Sequence, residues 1–492
     1  MAKDLVFEIG TEEIPAKFMN KTLEQLKENA GIAFKENRIN YKSLNTYGTP
    51  RRLVLYVKDM EEKQQDLELE IKGPSVKAAY DKDNNPTKAL LGFAKGNGLE
   101  LEDIYIKELS GAEYVYGKKH LIGEKTIEVL KKLLPELLVT ITFPKSMKWG
   151  NKTFRFARPV RWLMPIFGDE LVEFNKDDII CSKYTRGHRV LSQGEIEISK
   201  ASDYFDKMRE AYVIVDQNER RKMIKEQCEE IAKKINGNII HDSELLEEII
   251  YLVEYPTALL GSFEEDYLNL PREVIITPMK EHQRYFPLEN ENGKLMNNFI
   301  AVRNGDKNYI EIVRKGNERV LRARLSDAKF FYEEDKKVLL DKCVEKLKYV
   351  VFQDSLGTIY DKTINIINNS IYLAHELGLD ENSVNRLKRA AYLSKADLVT
   401  NMVKEFDELQ GVMGREYALV QGEDIEVAKA IEEHYMPRNA GDRLPSSIMG
   451  AIVGISDRID TICGCFSIGI QPTGSQDPYA LRRQAISIIN II

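Results

Sequence analysis

Residues 5–33 read LVFEIGTEEIPAKFMNKTLEQLKENAGIA, and the hydrophobic period changes inside them. Leu5 to Ile9 has the pattern of a short strand. Met19, Leu23, Leu26, Ala30 and Ala33 then recur at the spacing of one helix face. Thr11 is the expected N-cap, followed by Glu12 and Glu13, whose charges suit a helix start. A strand that feeds an amphipathic helix predicts mixed α+β architecture. Leu53 to Val57 reads as a second strand after the turn signal Gly48-Thr-Pro50. Residues 73–97 are rich in Gly, Pro, Asn and Lys. They predict irregular structure with one short helix near Lys88 to Lys95. Tyr212 to Val215 is β-like. Asp216 is placed to cap a helix with apolar Ile224, Cys228, Ile231 and Ile235, ended by Gly237. Asp242 caps another, carrying Leu245, Leu246, Ile249, Ile250 and Val253, before Pro256.

Beyond about residue 314 the strand signals thin out. Helical patterns run over 320–350, 362–377, 383–406, 425–435 and 446–466. The expected organisation is therefore multidomain. An α+β segment covers 1–70, an irregular or small helical linker domain 71–125, an α+β domain 126–315, and an all-α domain 316–492. The last helix, 479–492, ends on apolar residues without a cap. That pattern predicts a further helical domain beyond it.

Composition narrows the function classes. A chain of 492 residues, 43% hydrophobic and 30% charged, exceeds one core and is too apolar to be disordered. The longest apolar runs, such as 448–455, fall far short of the ~18 residues of a membrane span. The start resembles no secretory signal. Cys181, Cys228, Cys343, Cys463 and Cys465 are few and scattered, which fits a reducing, cytoplasmic setting. A net charge of −7 gives no global pull towards nucleic acid, so any such binding comes from local patches.

One such patch stands out. Residues 137–168 contain no Asp or Glu, yet hold Lys145, Lys148, Lys152, Arg155, Arg158 and Arg161 with Trp149 and Trp162. Cations interleaved with aromatics suit phosphate contacts and base stacking. The loop 183–192 adds Lys183, Arg186, His188 and Arg189. The competing reading pairs these cations with acids elsewhere and buries the tryptophans. A second basic-aromatic stretch, 279–286 with Arg303 and Asn304, fits a groove or an ordinary strand surface equally.

The helical half scatters His375, Asp397, His434, Asp457 and Asp460, the residue types of a metal phosphohydrolase built on a His…His-Asp…Asp pattern. The central dipeptide reads Ala396-Asp397, so an imidazole ligand is replaced by a methyl group. A structural role for these residues is expected, with no metal. No Walker A loop, nucleophile elbow or zinc motif is present, so no catalytic residue is assigned.

Ten ordered blocks carry a resemblance. They are EIGTEEIPAKF at 8–18, YGTPRRLVL at 47–55, FPKSMKWG at 143–150, RFARPVRWL at 155–163 and EYPTALLGSF at 254–263. The others are EHQRYF at 281–286, GNERVLRARLSDAKFFYEED at 316–335, FQDSLGTIYDK at 352–362, EFDELQGVMGREYA at 405–418 and QPTGSQDPYALRR at 471–483. The chain resembles the β subunit of bacterial tetrameric glycyl-tRNA synthetase from residue 5 to its end. The resemblance implies an α2β2 assembly. The α subunit would bind ATP, Mg and glycine, and this chain would bind tRNA(Gly) without cofactor or membrane. It implies likeness of parts of the N-terminal half to phenylalanyl-tRNA synthetase β, with 126–315 of the B3/4 type. It further implies a degenerate HD phosphohydrolase shape for 316–492, and an anticodon-binding-type domain absent from these 492 residues. The tRNA-contact candidates, chosen on charge, are Lys145, Lys148, Trp149, Lys152, Arg155, Arg158, Arg161, Arg186, His188 and Arg189. A metal phosphohydrolase and a hydrolytic editing module are the alternative functions.

Overall fold

The computed structural model describes residues 2–109, 111–474 and 476–492. Ser475, inside the 471–483 block, therefore lies outside the described residues, as do Met1 and Ser110. The chain forms two compact units. One comprises Met1–Gln227, Asp242–Ala258 and Val302–Asn308; the other comprises Cys228–His241, Leu259–Ala301 and Tyr309–Ile492.

The first unit is organised around β1 (Ala2–Thr11), followed by α1 (Ala16–Glu36), β2 (Ser43–Thr49) and β3 (Arg52–Glu61). Further on come β4 (Leu67–Ser75), α2 (Lys88–Asn97), β5 (Ile104–Leu109), β6 (Ala112–Leu121), α3 (Thr126–Thr140), β7 (Val160–Phe167) and β8 (Glu170–Leu171). An antiparallel sheet runs β2-β3-β1-β7-β8. Its register sets Gly10 of β1 opposite Arg52 of β3 and Trp162 of β7. Because β1 is central, Leu5 to Ile9 are all buried, which explains the near-continuous apolar run. One face, with Val6, Val54, Met164 and Ile166, packs against Ile198, Ala201, Tyr204, Met208 and Val213.

Three local expectations are corrected here. Thr11 does not cap α1. It is the last residue of β1, pairs with Val160, and donates its N–H to the Arg51 carbonyl. Sheet pairing outbids capping, and Pro15 opens the helix without a side-chain cap. Residues 71–125 are not irregular: with 67–70 they hold the sheet β4-β6-β5 beside α2. Leu67, Leu69 and Ile71 alternate with Glu68, Glu70 and Lys72, and Glu70 lies opposite Lys118 of β6. Tyr212 to Val215 forms no strand. Tyr212 has a φ of 59°, and Ile214 bonds singly to the Glu254 carbonyl.

A further sheet, most of whose residues belong to the second unit, comprises β9 (Gly237–Ile239), β10 (Pro256–Ser262), β11 (Phe286–Asn290) and β12 (Leu295–Asn304), in the order β9-β11-β12-β10. The helical array that follows includes α4 (Ile310–Asp335), α5 (Ile359–Glu376), α6 (Glu381–Leu393), α7 (Ile425–Glu433), α8 (Ile448–Ser467) and α9 (Leu481–Ile491). Its core runs through Leu321, Leu325, Ile366, Leu387, Met413, Ile431 and Val453. The patterns read over 320–350 and 383–406 are interrupted. Buried Asp335 ends α4 and accepts the N–H groups of Asn401 and Met402. Thr400 caps the short helix Asn401–Glu405, so the chain turns between Leu393 and Asn401. The Asp335 carboxylate thus satisfies the first backbone donors of the helix that restarts at Asn401, which a continuous helix would have used itself.

Candidate functional site

In the second unit, α5, the turn after α6, the end of α7 and the middle of α8 bring Lys362, Lys395, His434, Asp457 and Asp460 together. The Lys395 ammonium lies 2.9 Å from His434 Nε2 and 2.7 Å from Asp457 Oδ2, and 4.1 Å from the centre of the Tyr435 ring. His434 Nδ1 is 2.6 Å from the Ile431 carbonyl and donates to it. Its Nε2 is therefore the acceptor for Lys395. Lys362 Nζ contacts Asp457 Oδ1 at 2.8 Å, Asp460 Oδ2 at 3.0 Å and Thr461 Oγ1 at 2.7 Å. Arg458 gives its guanidinium to the carbonyls of His434, Gly454, Tyr435 and Met436.

The electrostatics follow from this packing. Burial works against the Asp457 charge, but the ammoniums of Lys395 and Lys362 outweigh it and hold the carboxyl far below its ordinary range. Burial, then Lys395, drives His434 well below its ordinary value, so the imidazole is neutral. Asp397 points elsewhere. Its Oδ2 accepts the N–H groups of Gly411 and Gly414, its Oδ1 has no partner among the described residues, and burial raises its pKa to about 6.

The donor set does not fit a divalent metal. A lysine ammonium stands between the imidazole and the carboxylate that would ligate it, and Ala396 supplies a buried methyl. Among the described residues, no group of three or more His, Cys, Asp or Glu is arranged to hold a metal. His375 is not brought into the cluster: it lies exposed in the last turn of α5, and Lys362 is the α5 residue that faces Asp457. Lys362 and Lys395 escaped sequence reasoning because a lysine ordinarily signals surface. Lys362 does share its helix face with Ile366 and Ser370, a signal that could have found it.

The acid-free window divides in the first unit. Lys145, Lys148, Arg155, Arg158 and Arg161 are exposed. Arg155 is fastened to Ser146 Oγ and its carbonyl, and Arg161 pairs with Glu12 at 3.3 Å. Arg189 pairs with Glu12 and Glu13. Lys152 pairs with Asp178, and half-buried Trp149 stands edge-on to Phe154. Exposed Arg186 reaches towards Glu195 at 4.0 Å. His188 is buried: Nε2 donates to Asn304 Oδ1 at 3.0 Å, while Nδ1 accepts the N–H groups of Val190 and Leu191. Trp162 is buried on Gly10 and donates its N–H to Glu8. Glu8, also held by Thr185 and Tyr204, shares a buried network with Arg52 and Glu254. Along the chain, the one sign of this network is Glu8, an acid within an apolar strand.

Three comparisons place these features. The sequence profile described as "Glycyl-tRNA synthetase beta subunit" matches residues 5–492. The chain is similar to the glycine–tRNA ligase beta subunit of Clostridioides difficile (strain 630), 54% identical over all of this chain and 71% of that protein. The beta subunit of Bacillus subtilis (strain 168) is 48% identical over all of this chain and 72% of its own length. A solved HD superfamily hydrolase from an uncultured Thermotogales bacterium is 21% identical over 31% of this chain and 83% of that one. Its TM-score of 0.20 carries no argument about fold.

Proposed function

This chain belongs to the glycyl-tRNA synthetase beta subunit family, and from that premise we propose that it holds tRNA(Gly) for a partner subunit that performs the chemistry. As a beta subunit of glycine–tRNA ligase it takes part in forming glycyl-tRNA. The observation that carries tRNA binding is the acid-free window, five of whose cations face solvent: Lys145, Lys148, Arg155, Arg158 and Arg161.

The reading continues as follows. Two such chains join two alpha subunits, which carry ATP, Mg and glycine, in the cytoplasm. The beta chain presents the acceptor end to the alpha active site, so its contribution is proximity and orientation. Among the described residues no helix is long and apolar enough to cross a membrane. The likeness of 126–315 to the B3/4 type belongs to this same reading. In the helical half an HD-like shape is kept with an ammonium in place of a metal, which disfavours the phosphohydrolase alternative.

The test is the double variant Arg158→Gln/Arg161→Gln. Both side chains are exposed, so the variant folds. Affinity for tRNA(Gly) falls, and the slope of log affinity against log salt flattens by roughly two for two lost phosphate contacts. Unchanged affinity and slope would reject this surface. Glycylation with and without this chain, in the presence of the alpha subunit, tests the wider role.

A further inference from the structure

One cavity in the second unit has a wall whose charge opposes that of the chain. It measures about 390 Å³, a size that suits a mononucleotide. Its charged lining is Lys362, Lys395, Arg438, Arg458, Arg483 and a single acid, Asp457. The whole chain has 78 acids and 71 bases. Even with Asp460 counted behind Lys362, the cations exceed the carboxylates by three. A concave, low-dielectric wall concentrates such a field on an anion.

The directed donors can be separated from the field. Lys362 and Lys395 are committed to Asp457. Arg458 is committed to carbonyls, and Arg438 gives two N–H groups to the carbonyls of Glu408 and Gln410. Among the described residues, the side chains of Arg483, on α9, and Gln410 have no internal partner. Phe352 adds a flat apolar face to the same cavity.

We propose that this cavity binds a phosphomonoester of mononucleotide size, with the phosphate held by Arg483 and Gln410 in the field of the other four cations. Binding stops short of hydrolysis. Attack by water needs a free base or a metal with an open position. The His434 Nε2 lone pair is taken by Lys395, and the Asp457 carboxylate is clamped by two ammoniums. The ligand is either a free mononucleotide or the 5′-terminal phosphate of an RNA. The inference stands apart from the tRNA surface proposed on the first unit.

The experiment is calorimetric titration of the 492-residue chain with AMP, inorganic phosphate, and an RNA hairpin bearing a 5′-phosphate or a 5′-hydroxyl. AMP or the 5′-phosphorylated hairpin binds one to one, inorganic phosphate competes, and the phosphate ester is recovered intact. Arg483→Gln weakens binding at least about tenfold, the value of one charge-assisted hydrogen bond. Arg319→Gln, an exposed position on α4 away from the cavity lining, leaves it unchanged. Gln410→Ala gives a second reading should Arg483→Gln not fold. Displacement of AMP by the 5′-phosphorylated hairpin but not its 5′-hydroxyl form assigns the RNA terminus; displacement by neither assigns the free nucleotide. Four results would overturn the proposal: no saturable binding of any phosphate probe, binding indifferent to both cavity variants, equal loss with Arg319→Gln, or hydrolysis of the bound ester.

Discussion

The Lys395 ammonium stands 2.9 Å from Nε2 of His434, where an imidazole that ligates metal would meet its ion. The same ammonium lies 2.7 Å from Asp457. A cation supplied by the chain thus neutralises the carboxylate and directs the imidazole. Unlike a metal, it offers no open position to water.

Lys395→Met therefore leaves His434 without its donor and Asp457 with one ammonium instead of two. Breaking a buried ionic cluster by removing one member costs about 3–5 kcal/mol. Urea unfolding should show a loss of that size, while a chelator leaves the parent protein unchanged. A cost below about 1 kcal/mol would mean that Lys362 alone satisfies Asp457.

Asp397 gives a pH dependence of opposite sense to a salt-bridged acid. Its folded pKa, raised from 3.8 to about 6 by burial, means that the folded chain holds this proton more tightly than the unfolded one. Its favourable contribution is present below pH 4 and fades as pH rises to about 6. Asp397→Asn keeps an oxygen for Gly411 and Gly414 and cannot ionise. The variant should gain stability relative to the parent between pH 4 and 6, with a constant difference above. A difference that shrinks over that range would refute the assignment.

The sheet of the first unit depends on Gly10 for space. A Cβ there would lie 1.8 Å from the Trp162 ring, whose N–H is held by Glu8. Gly10→Ala should destabilise by about 3 kcal/mol, the upper end of overpacking costs, with a shift in tryptophan emission as the indole leaves its buried seat. Unchanged emission and stability would show that the ring swings aside freely.

The extent to which the sequence announced this structure depends on range. Strand-to-helix order in 5–33, the Asp242 cap and the helical half were legible because hydrophobic period and capping are local. The Thr11 cap failed because distant segments claim that backbone: Thr11 pairs with Val160 of β7 and gives its N–H to the Arg51 carbonyl. The 71–125 sheet was missed because its polar partners are cross-strand neighbours and invisible along the chain. The candidate site was half legible. Asp457, Asp460 and His434 do converge, but the two lysines that define their chemistry come from a helix face (Lys362) and a turn (Lys395), whose inward direction charge alone cannot assign.

The window 137–168 makes a final, discriminating case, because its candidates and those of the neighbouring loop differ in their attachments. Lys145 and Lys148 are exposed and, among the described residues, have no partner, so removing their charge costs the fold little. His188 is buried with both ring nitrogens engaged. Lys145→Gln/Lys148→Gln should keep the parent's unfolding midpoint and weaken tRNA(Gly), flattening the salt slope by about two. His188→Ala should do the reverse. It leaves the N–H groups of Val190 and Leu191 without their acceptor, while Asn304 Oδ1 keeps the N–H groups of Glu254 and Tyr255; the cost is about 2–4 kcal/mol, and the salt slope of the protein that remains folded is unchanged. A lysine pair that unfolds the chain, or a His188 variant that flattens the slope without loss of stability, would exchange the roles assigned to these residues.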